Sequence, residues 1–146
     1  MTDNVLELDQ IVTDGTATTK EEAIREAGAI LIGAGAVTED YVDFMLQREV
    51  LTSTYMGNYL AIPHGTNEGK DTILKSALSF VRYPAAIDWD GNEVRFVVGI
   101  AGKDNGHLEI LSKIAIVFSD EDEVQKLLDA SSTSDILGLL GDVNEQ

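Results

Sequence analysis

The sequence has 146 residues, of which 44% are apolar and 25% charged, with no cysteine and a formal net charge of -16. This length suits one domain with a single substantial core, and the missing cysteine excludes disulfides, thiolate metal ligands and thiol catalysis by this chain. Because acidic residues occur throughout, we expect a negative surface that binds neither nucleic acid nor anionic membranes. We predict a single domain over residues 1–146.

The apolar runs are short. The longest, Ala27–Ile32 and Ile114–Phe118, fall well below the roughly 20 residues that a membrane span needs. The first residues, Met1-Thr2-Asp3-Asn4, lack a basic start followed by an apolar stretch, so no secretory signal is expected. We therefore expect a cytoplasmic protein that does not insert into a membrane.

Two helices are predicted in the first third of the chain, after a short apolar segment. A capping box within residues 18–22 predicts a helix that begins near Lys20, and the apolar spacing that follows ends at Gly33. Thr38, followed by two acidic residues, predicts the start of a second helix that ends near Arg48.

Strands are predicted in the middle of the chain. The apolar run Tyr59–Ile62 indicates one strand that ends before a proline. Ile73–Val81 and Val94–Ile100 indicate two more, with turn signals at Pro84 and Asp90-Gly91 between them.

The last third is predicted to be helical. His107–Phe118 has helical apolar spacing, Leu108 included, Ser119 caps a helix over Asp120–Ala130, and a short final helix begins at Ser134. The alternation of helices and strands predicts the α/β class, with a mixed sheet covered by helices on both faces.

Two histidines occur, His64 and His107. Pro63 has a fixed φ and biases Ile62 towards an extended conformation, so His64 is expected at a rigid strand end, where α/β folds commonly place function. Gly65 removes bulk beside the imidazole, which would let another protein approach; an ordinary turn is the alternative. A neutral imidazole is a competent nucleophile near pH 7, although the sequence does not identify the partner of its second ring nitrogen.

The residues around this histidine form a recognisable pattern, made of Arg48-Glu49, Thr52–Thr54, Tyr55, Gly57 and Ala61-Ile62-Pro63-His64-Gly65-Thr66. The pattern closely resembles the active-site stretch of mannitol-class enzyme IIA proteins of the sugar phosphotransferase system. The resemblance extends to residues 18–24 and to the segment around Gly106-His107, so it covers nearly the whole chain. It implies a mannitol/fructose-type IIA fold with a central mixed sheet of about five strands.

The resemblance also implies a function. In this family, a histidine in the Pro-His-Gly context accepts a phosphoryl group from the phosphocarrier protein HPr and donates it to a cysteine of a IIB domain or IIBC permease, for uptake of mannitol or a related sugar. His64 matches that acceptor, and His107 and Arg48 match residues that stabilise the phosphoryl group. An exposed helix residue is the alternative for His107, and a helix-end residue complementing the macrodipole for Arg48. Glu49 is expected to form local salt bridges and is left out of the site.

Further side chains near His64 are candidates for contacts. Thr54 and Asn58 are possible donors to the phosphoryl group, or else caps of local turns. Tyr55, Met56 and Tyr59 are candidates for an apolar patch on which partner proteins dock.

Two other functions stay open. The first is a nitrogen-class IIA regulator, in which the phosphorylation state of the same histidine controls binding to other proteins. The second is a binding module with a metal held by His64 and His107, although two imidazoles alone bind metal weakly. Because no Walker loop, calcium loop or zinc pattern is present, we predict no nucleotide or metal cofactor.

Overall fold

The computed structural model describes residues 5–103 and 107–140, apart from the side chains of Asn67 and His107. Its strands are β1 (Ile11–Val12), β2 (Tyr55–Gly57), β3 (Leu60–Ala61), β4 (Ala77–Trp89) and β5 (Asn92–Ala101). Its α-helices are α1 (Lys20–Gly33), α2 (Asp40–Leu51), α3 (His107–Phe118), α4 (Glu121–Asp129) and α5 (Thr133–Leu139). Short 3₁₀ helices cover Leu8–Gln10 and Asn67–Thr72.

The five strands form one mixed sheet in the order β1-β4-β5-β3-β2. β3 is parallel to β5, and β4 is antiparallel to β5, so β3 and β5 end at the same edge of the sheet. His64 follows β3 there and forms a parallel bridge with Ile100 of β5. We call this edge the His64 edge.

Helices α1 and α2 cover one face of the sheet. Ile24, Leu31 and Met45 from these helices pack in one buried cluster with Val81 and Val97 from the central strands. The apolar stripes that the sequence shows at helical spacing are therefore the buried faces of α1 and α2.

Helices α3, α4 and α5 cover the other face. Ile114, Phe118 and Leu127 pack there with Phe80 and Val98, the strand neighbours of the residues that face α1 and α2. Successive strand residues point to opposite faces, so the near-continuous apolar runs of β4 and β5 serve both cores. The predicted α/β class, with helices on both faces of a mixed sheet of five strands, is confirmed. No helix of the described residues has the length and apolar character of a membrane span.

The predicted helices exist, but two of their caps differ. Thr19 accepts the backbone N–H of Glu22 and caps α1 as predicted. The N-cap of α2 is Glu39 and not Thr38, and α4 is capped by Asp120 and not Ser119. Each cap lies one residue later than predicted, a difference that is common at helix ends.

The strand predictions were wrong at Pro84, where a turn was expected. β4 continues through this residue to Trp89, and the register between β4 and β5 shifts between Arg82 and Ile87. A proline is tolerated there because the strand pairing is interrupted at the register shift, so no ladder hydrogen bond requires the N–H that proline lacks. The turn lies at Asp90-Gly91, as predicted, with φ of 55° and 92°.

β2 was not predicted from the sequence. This strand pairs with β3 through a tight turn at Asn58 and Tyr59, whose φ values are 49° and 69°. Turns with two positive φ values usually contain glycine at these positions, and here neither residue is one. Tyr59, predicted as the first residue of a strand, lies in this turn.

Arg82 fastens the end of α4 to the sheet. Its side chain donates to the carbonyl of Leu127 at 2.9 Å, to the carbonyls of Leu128 and Ala130, and to the carbonyl of Thr13 at 3.2 Å. A cation at a helix carboxyl end satisfies carbonyls that have no partner within the helix. Arg82 therefore holds three segments together.

We expect Arg82→Met to lower the free energy of unfolding by about 2 kcal/mol or more, because several carbonyls lose a charged donor. Arg95→Met is the matched control, since Arg95 donates to exposed Glu93 and to the carbonyl of Pro84. We expect it to cost about 1 kcal/mol at most. Urea unfolding measures both, and equal losses would contradict this role of Arg82.

Candidate functional site

His64 is half-buried at the His64 edge, and its backbone is fixed by β5. The amide of Ile100 donates to the carbonyl of Pro63 at 3.0 Å, which continues the pairing of β3 with β5 past the end of β3. The ring Nδ1 lies 2.8 Å from the carbonyl oxygen of Ile62. Because a carbonyl oxygen only accepts, Nδ1 carries the proton, and in the neutral ring the nucleophilic lone pair is on Nε2.

Tyr41 of α2 lies against the turn that carries His64. Its hydroxyl donates to the carbonyl of Ile100 at 2.6 Å and accepts the amide of Gly65 at 2.9 Å. A Cβ atom at position 65 would lie 2.6 Å from Cε1 of Tyr41, closer than carbon atoms approach in proteins. Gly65 therefore makes room for the Tyr41 ring, whereas the sequence suggested room for a partner protein.

Burial raises the pKa of Tyr41 to about 12, and the hydrogen bond from the Gly65 amide opposes this shift. Desolvation disfavours the phenolate, so the hydroxyl keeps its proton at neutral pH. Both hydrogen bonds of Tyr41 are consequently present under physiological conditions.

The start of α3 lies at the same edge as His64. Phe118, the last residue of α3, packs against Phe96 in the middle of β5, with ring centroids 5.3 Å apart. Only five residues separate Ala101, the last residue of β5, from His107, the first residue of α3, so the backbone of His107 is near the end of β5. The side chain of His107 is outside the described residues, and its contact with a phosphoryl group stays a prediction.

Asn58 lies at the other end of α3. Its side-chain amide donates to the carbonyl of Phe118 at 2.7 Å and so caps the helix. Eleven residue steps of about 1.5 Å separate Phe118 from His107, roughly 16 Å along the helix axis. The structure thus does not bring Asn58 and His107 to one phosphoryl group.

Glu49 is buried beside Arg48 and holds the end of α2. Its carboxylate accepts the backbone amide of Thr54 at 2.9 Å, the Thr54 hydroxyl at 2.6 Å and the indole N–H of Trp89 at 3.1 Å. Among the described residues, these partners are neutral donors and not the cations of the predicted salt bridges. The network joins α2 to β2 and β4, and Arg48 is the preceding residue.

Arg48 and Thr54 both have partners within this region. Arg48 donates to the carbonyl of Thr52 at 2.7 Å in the last turn of α2, which matches the helix-end alternative. The Thr54 hydroxyl gives its proton to Glu49, and the Thr54 carbonyl accepts the amide of Ile62 at 3.1 Å. Donation from Thr54 to a phosphoryl group would require it to leave Glu49, so both phosphoryl contacts stay predictions.

The three predicted docking residues do not surround His64. Met56 and Tyr59 are 49% and 38% exposed, and Tyr55 is half-buried. Tyr55 and Tyr59 line a cavity of about 480 Å³ against α4, near the turn between β2 and β3. Tyr59 precedes His64 by five residues, about 16 Å of extended chain.

Two exposed apolar residues near the His64 edge were missed. Leu74 precedes β4 and is 52% exposed, and Leu108 begins α3 and is 60% exposed. Helical spacing placed Leu108 on the buried face of α3, but that face is formed by Ile110, Ile114 and Phe118, so Leu108 lies on the exposed side of the helix. No sequence signal distinguished these leucines from core residues.

Among the described residues, no group of three or more histidine, aspartate or glutamate side chains is placed to hold a metal. The alternative of a metal between His64 and His107 involves a side chain outside that description. Metal analysis of the purified protein tests it.

The chain matches a family model described as "Phosphoenolpyruvate-dependent sugar phosphotransferase system, EIIA 2" over residues 4–142. It is 50% identical over 145 residues to a mannitol-specific phosphotransferase enzyme IIA component from Halalkalibacterium halodurans, covering 99% of this chain and 100% of that protein.

Two solved structures extend the comparison. The mannitol enzyme IIA in a complex with phosphorylated enzyme IIB from Escherichia coli has a TM-score of 0.87 at 38% identity, covering 93% of this chain and 96% of that one. The nitrogen regulatory protein IIA-Ntr from Neisseria meningitidis has a TM-score of 0.78 at 28% identity, covering 93% and 96%.

The pKa of Tyr41 predicts how stability depends on alkaline pH. The folded pKa of about 12 exceeds the ordinary value of 10.0, so the folded state binds more protons than the unfolded chain between these values. The contribution of Tyr41 to the free energy of unfolding is roughly 2–3 kcal/mol in all. It is fully present below pH 10 and is lost as the pH rises towards 12.

Tyr41→Phe lacks this titration but leaves the Gly65 amide and the Ile100 carbonyl without their partner. We expect it to be about 1–3 kcal/mol less stable than the wild type at pH 7. The difference should narrow when denaturant unfolding is measured at pH 11. A difference that is the same at both pH values would show that Tyr41 titrates normally.

Proposed function

The chain belongs to the EIIA 2 family of the phosphoenolpyruvate-dependent sugar phosphotransferase system, as its sequence resemblance predicted, and is a phosphotransferase component. From this premise we propose that residues 1–146 form one EIIA domain that carries a phosphoryl group on His64. The group arrives from phospho-HPr and leaves to a cysteine of a IIB domain or IIBC permease. The sugar is mannitol or a related one, and the protein works in the cytoplasm.

The hydrogen bond from Nδ1 of His64 to the Ile62 carbonyl is the observation that carries this proposal. It leaves Nε2 as the attacking nitrogen. As the Nε2–P bond forms, the N–P bond in HPr breaks and its electron pair returns to the HPr histidine. Positive charge develops on the His64 ring, and the Ile62 carbonyl stabilises it through the Nδ1 proton.

Transfer of a phosphoryl group needs positioning and charge stabilisation more than covalent help from the protein. Arg48 supplies a guanidinium that can bind phosphoryl oxygens in place of the Thr52 carbonyl. His107 is at the amino end of α3, where the helix dipole favours anions. These two residues are proposed to hold the oxygens while the phosphorus moves.

In the second transfer, a thiolate of IIB attacks phosphorus, and the electrons of the breaking Nε2–P bond return to the His64 ring. The Escherichia coli complex of mannitol enzyme IIA with phosphorylated IIB supports such a partner. Both reactants are proteins, so the proposal needs no nucleotide or metal cofactor.

A sugar-transport role is favoured over the nitrogen regulator. The mannitol-specific relative is 50% identical across the whole chain, whereas the nitrogen regulatory structure is 28% identical. Both classes share the fold, so the difference in identity is what supports mannitol.

Phosphorylation of the purified chain tests the carrier role. We expect phosphoenolpyruvate, enzyme I and HPr to add one phosphoryl group, located on His64 by mass spectrometry that preserves acid-labile phosphohistidine. His64→Ala should take up none. His107→Ala is the matched control and should still be phosphorylated on His64, about 10- to 100-fold more slowly.

Phosphorylation of the folded His64→Ala chain, or none of the folded wild type with several HPr donors, would contradict the proposal. Equal rates for His107→Ala and the wild type would remove only His107 from the site.

Docking is proposed to extend from His64 onto exposed apolar surface of β2, the strand that pairs with β3, and to include Met56. Met56→Lys should slow transfer from HPr several-fold, because a charge enters a surface that must exclude water. Ile116→Lys is the control, since Ile116 is 70% exposed on α3, about 13 Å beyond its first residue. Equal transfer rates for both variants would place the docking surface elsewhere.

A further inference from the structure

The geometry points to Tyr41 as a positioning residue for phosphoryl transfer, whose hydroxyl holds the His64 ring with its Nε2 lone pair directed out of the turn. This inference rests on the proposed function. Tyr41 lies near the start of α2, 23 positions before His64, and is not one of the residues of the motif around His64. Nothing in that motif indicates its role.

The first support is the pair of hydrogen bonds that the hydroxyl makes. It can donate only one proton, which goes to the Ile100 carbonyl at 2.6 Å, and it accepts the Gly65 amide at 2.9 Å. The two partners lie on either side of the site, Gly65 directly after His64 and Ile100 opposite it in β5. One hydroxyl thus fixes the distance between the turn and the end of β5.

The second support is that this distance controls the His64 ring. The ring hydrogen bond is made to Ile62, two residues earlier, so it exists only while the backbone from Ile62 to Gly65 keeps one shape. The Ile100 amide holds this backbone at Pro63, and Tyr41 holds it at Gly65. Without the Tyr41 hydroxyl, Gly65 and the Ile100 carbonyl lose the side-chain link between them.

The third support is steric. The Tyr41 ring fills the space that a side chain at position 65 would need, and Tyr41 is 2% exposed. The Tyr41 ring and Gly65 therefore form one contact, and a substitution at either residue can disrupt it. In addition, Ile100 is the penultimate residue of β5, from which the chain continues to the start of α3. Tyr41 consequently links the segments that carry His64 and His107.

Tyr41→Phe removes the hydroxyl and keeps the ring, and Tyr83→Phe is its matched control. Tyr83 is also buried in the core beneath α1 and α2, and its hydroxyl donates to Glu26 at 2.6 Å, a partner outside the site. Gly65→Ala is a second way to break the contact, in case Tyr41→Phe fails to fold. Each variant is made in the full chain.

The experiment has two readouts. The first is the rate at which phospho-HPr phosphorylates His64, expected to fall about 10- to 100-fold in Tyr41→Phe and to stay within about twofold in Tyr83→Phe. The second is ¹⁵N NMR of the His64 ring without any phosphoryl donor. The Nδ1–H tautomer should predominate in the wild type and in Tyr83→Phe, and give way to a mixture in Tyr41→Phe and Gly65→Ala.

A purely structural role would lower the stability of both tyrosine variants and leave the tautomer unchanged. Equal phosphorylation rates in the two variants, or a slower rate in Tyr41→Phe with an unchanged His64 tautomer, would overturn the inference. A wild type that accepts no phosphoryl group would overturn the proposed function, and the tautomer comparison would still decide whether Tyr41 holds the ring.

Discussion

The hydrogen bond between Nδ1 of His64 and the carbonyl of Ile62 is the interaction on which the site depends. It assigns the proton to one ring nitrogen and leaves the lone pair on the other. The bond is local, two residues apart, but its geometry requires a fixed strand end. Pairing with β5 provides part of that restraint, and the Tyr41 hydroxyl provides the rest. The sheet and α2 therefore act together on one imidazole.

Electrostatics explain why so few groups are suited to this site. The chain carries a net charge of -16, and a phosphoryl group brings further negative charge. Hydrogen-bond donors and cations close to His64 must offset that repulsion, because an acidic surface does not attract a phosphoryl group from a distance. The donors proposed for this role are Arg48 and the amino end of α3, where His107 lies. The buried carboxylate of Glu49 is adjacent to Arg48, but its oxygens are occupied by donors from Thr54 and Trp89. The Glu49 carboxylate is thus directed into the protein, where its hydrogen bonds hold the end of α2.

Sequence reasoning worked where a local rule decides the structure. A capping box begins α1, and the Pro63-His64-Gly65 motif follows a strand as predicted. It failed where distant residues decide. Nothing near Gly65 reveals that a ring from α2 fills its missing side chain, and nothing near Asn58 reveals that its amide caps α3. One partner of Glu49 is likewise distant, since Trp89 lies in β4, 40 positions later. Family resemblance predicted site residues but none of these contacts.

The central claim is that Nε2 of His64 is the nitrogen that carries the phosphoryl group. The most direct test is heteronuclear ¹⁵N and ³¹P NMR of the phosphorylated chain, which identifies the phosphorylated ring nitrogen. We expect phosphorus on Nε2, with Nδ1 still protonated and donating to the Ile62 carbonyl. Phosphorus on Nδ1 would contradict it, because that product cannot form while Nδ1 donates to Ile62.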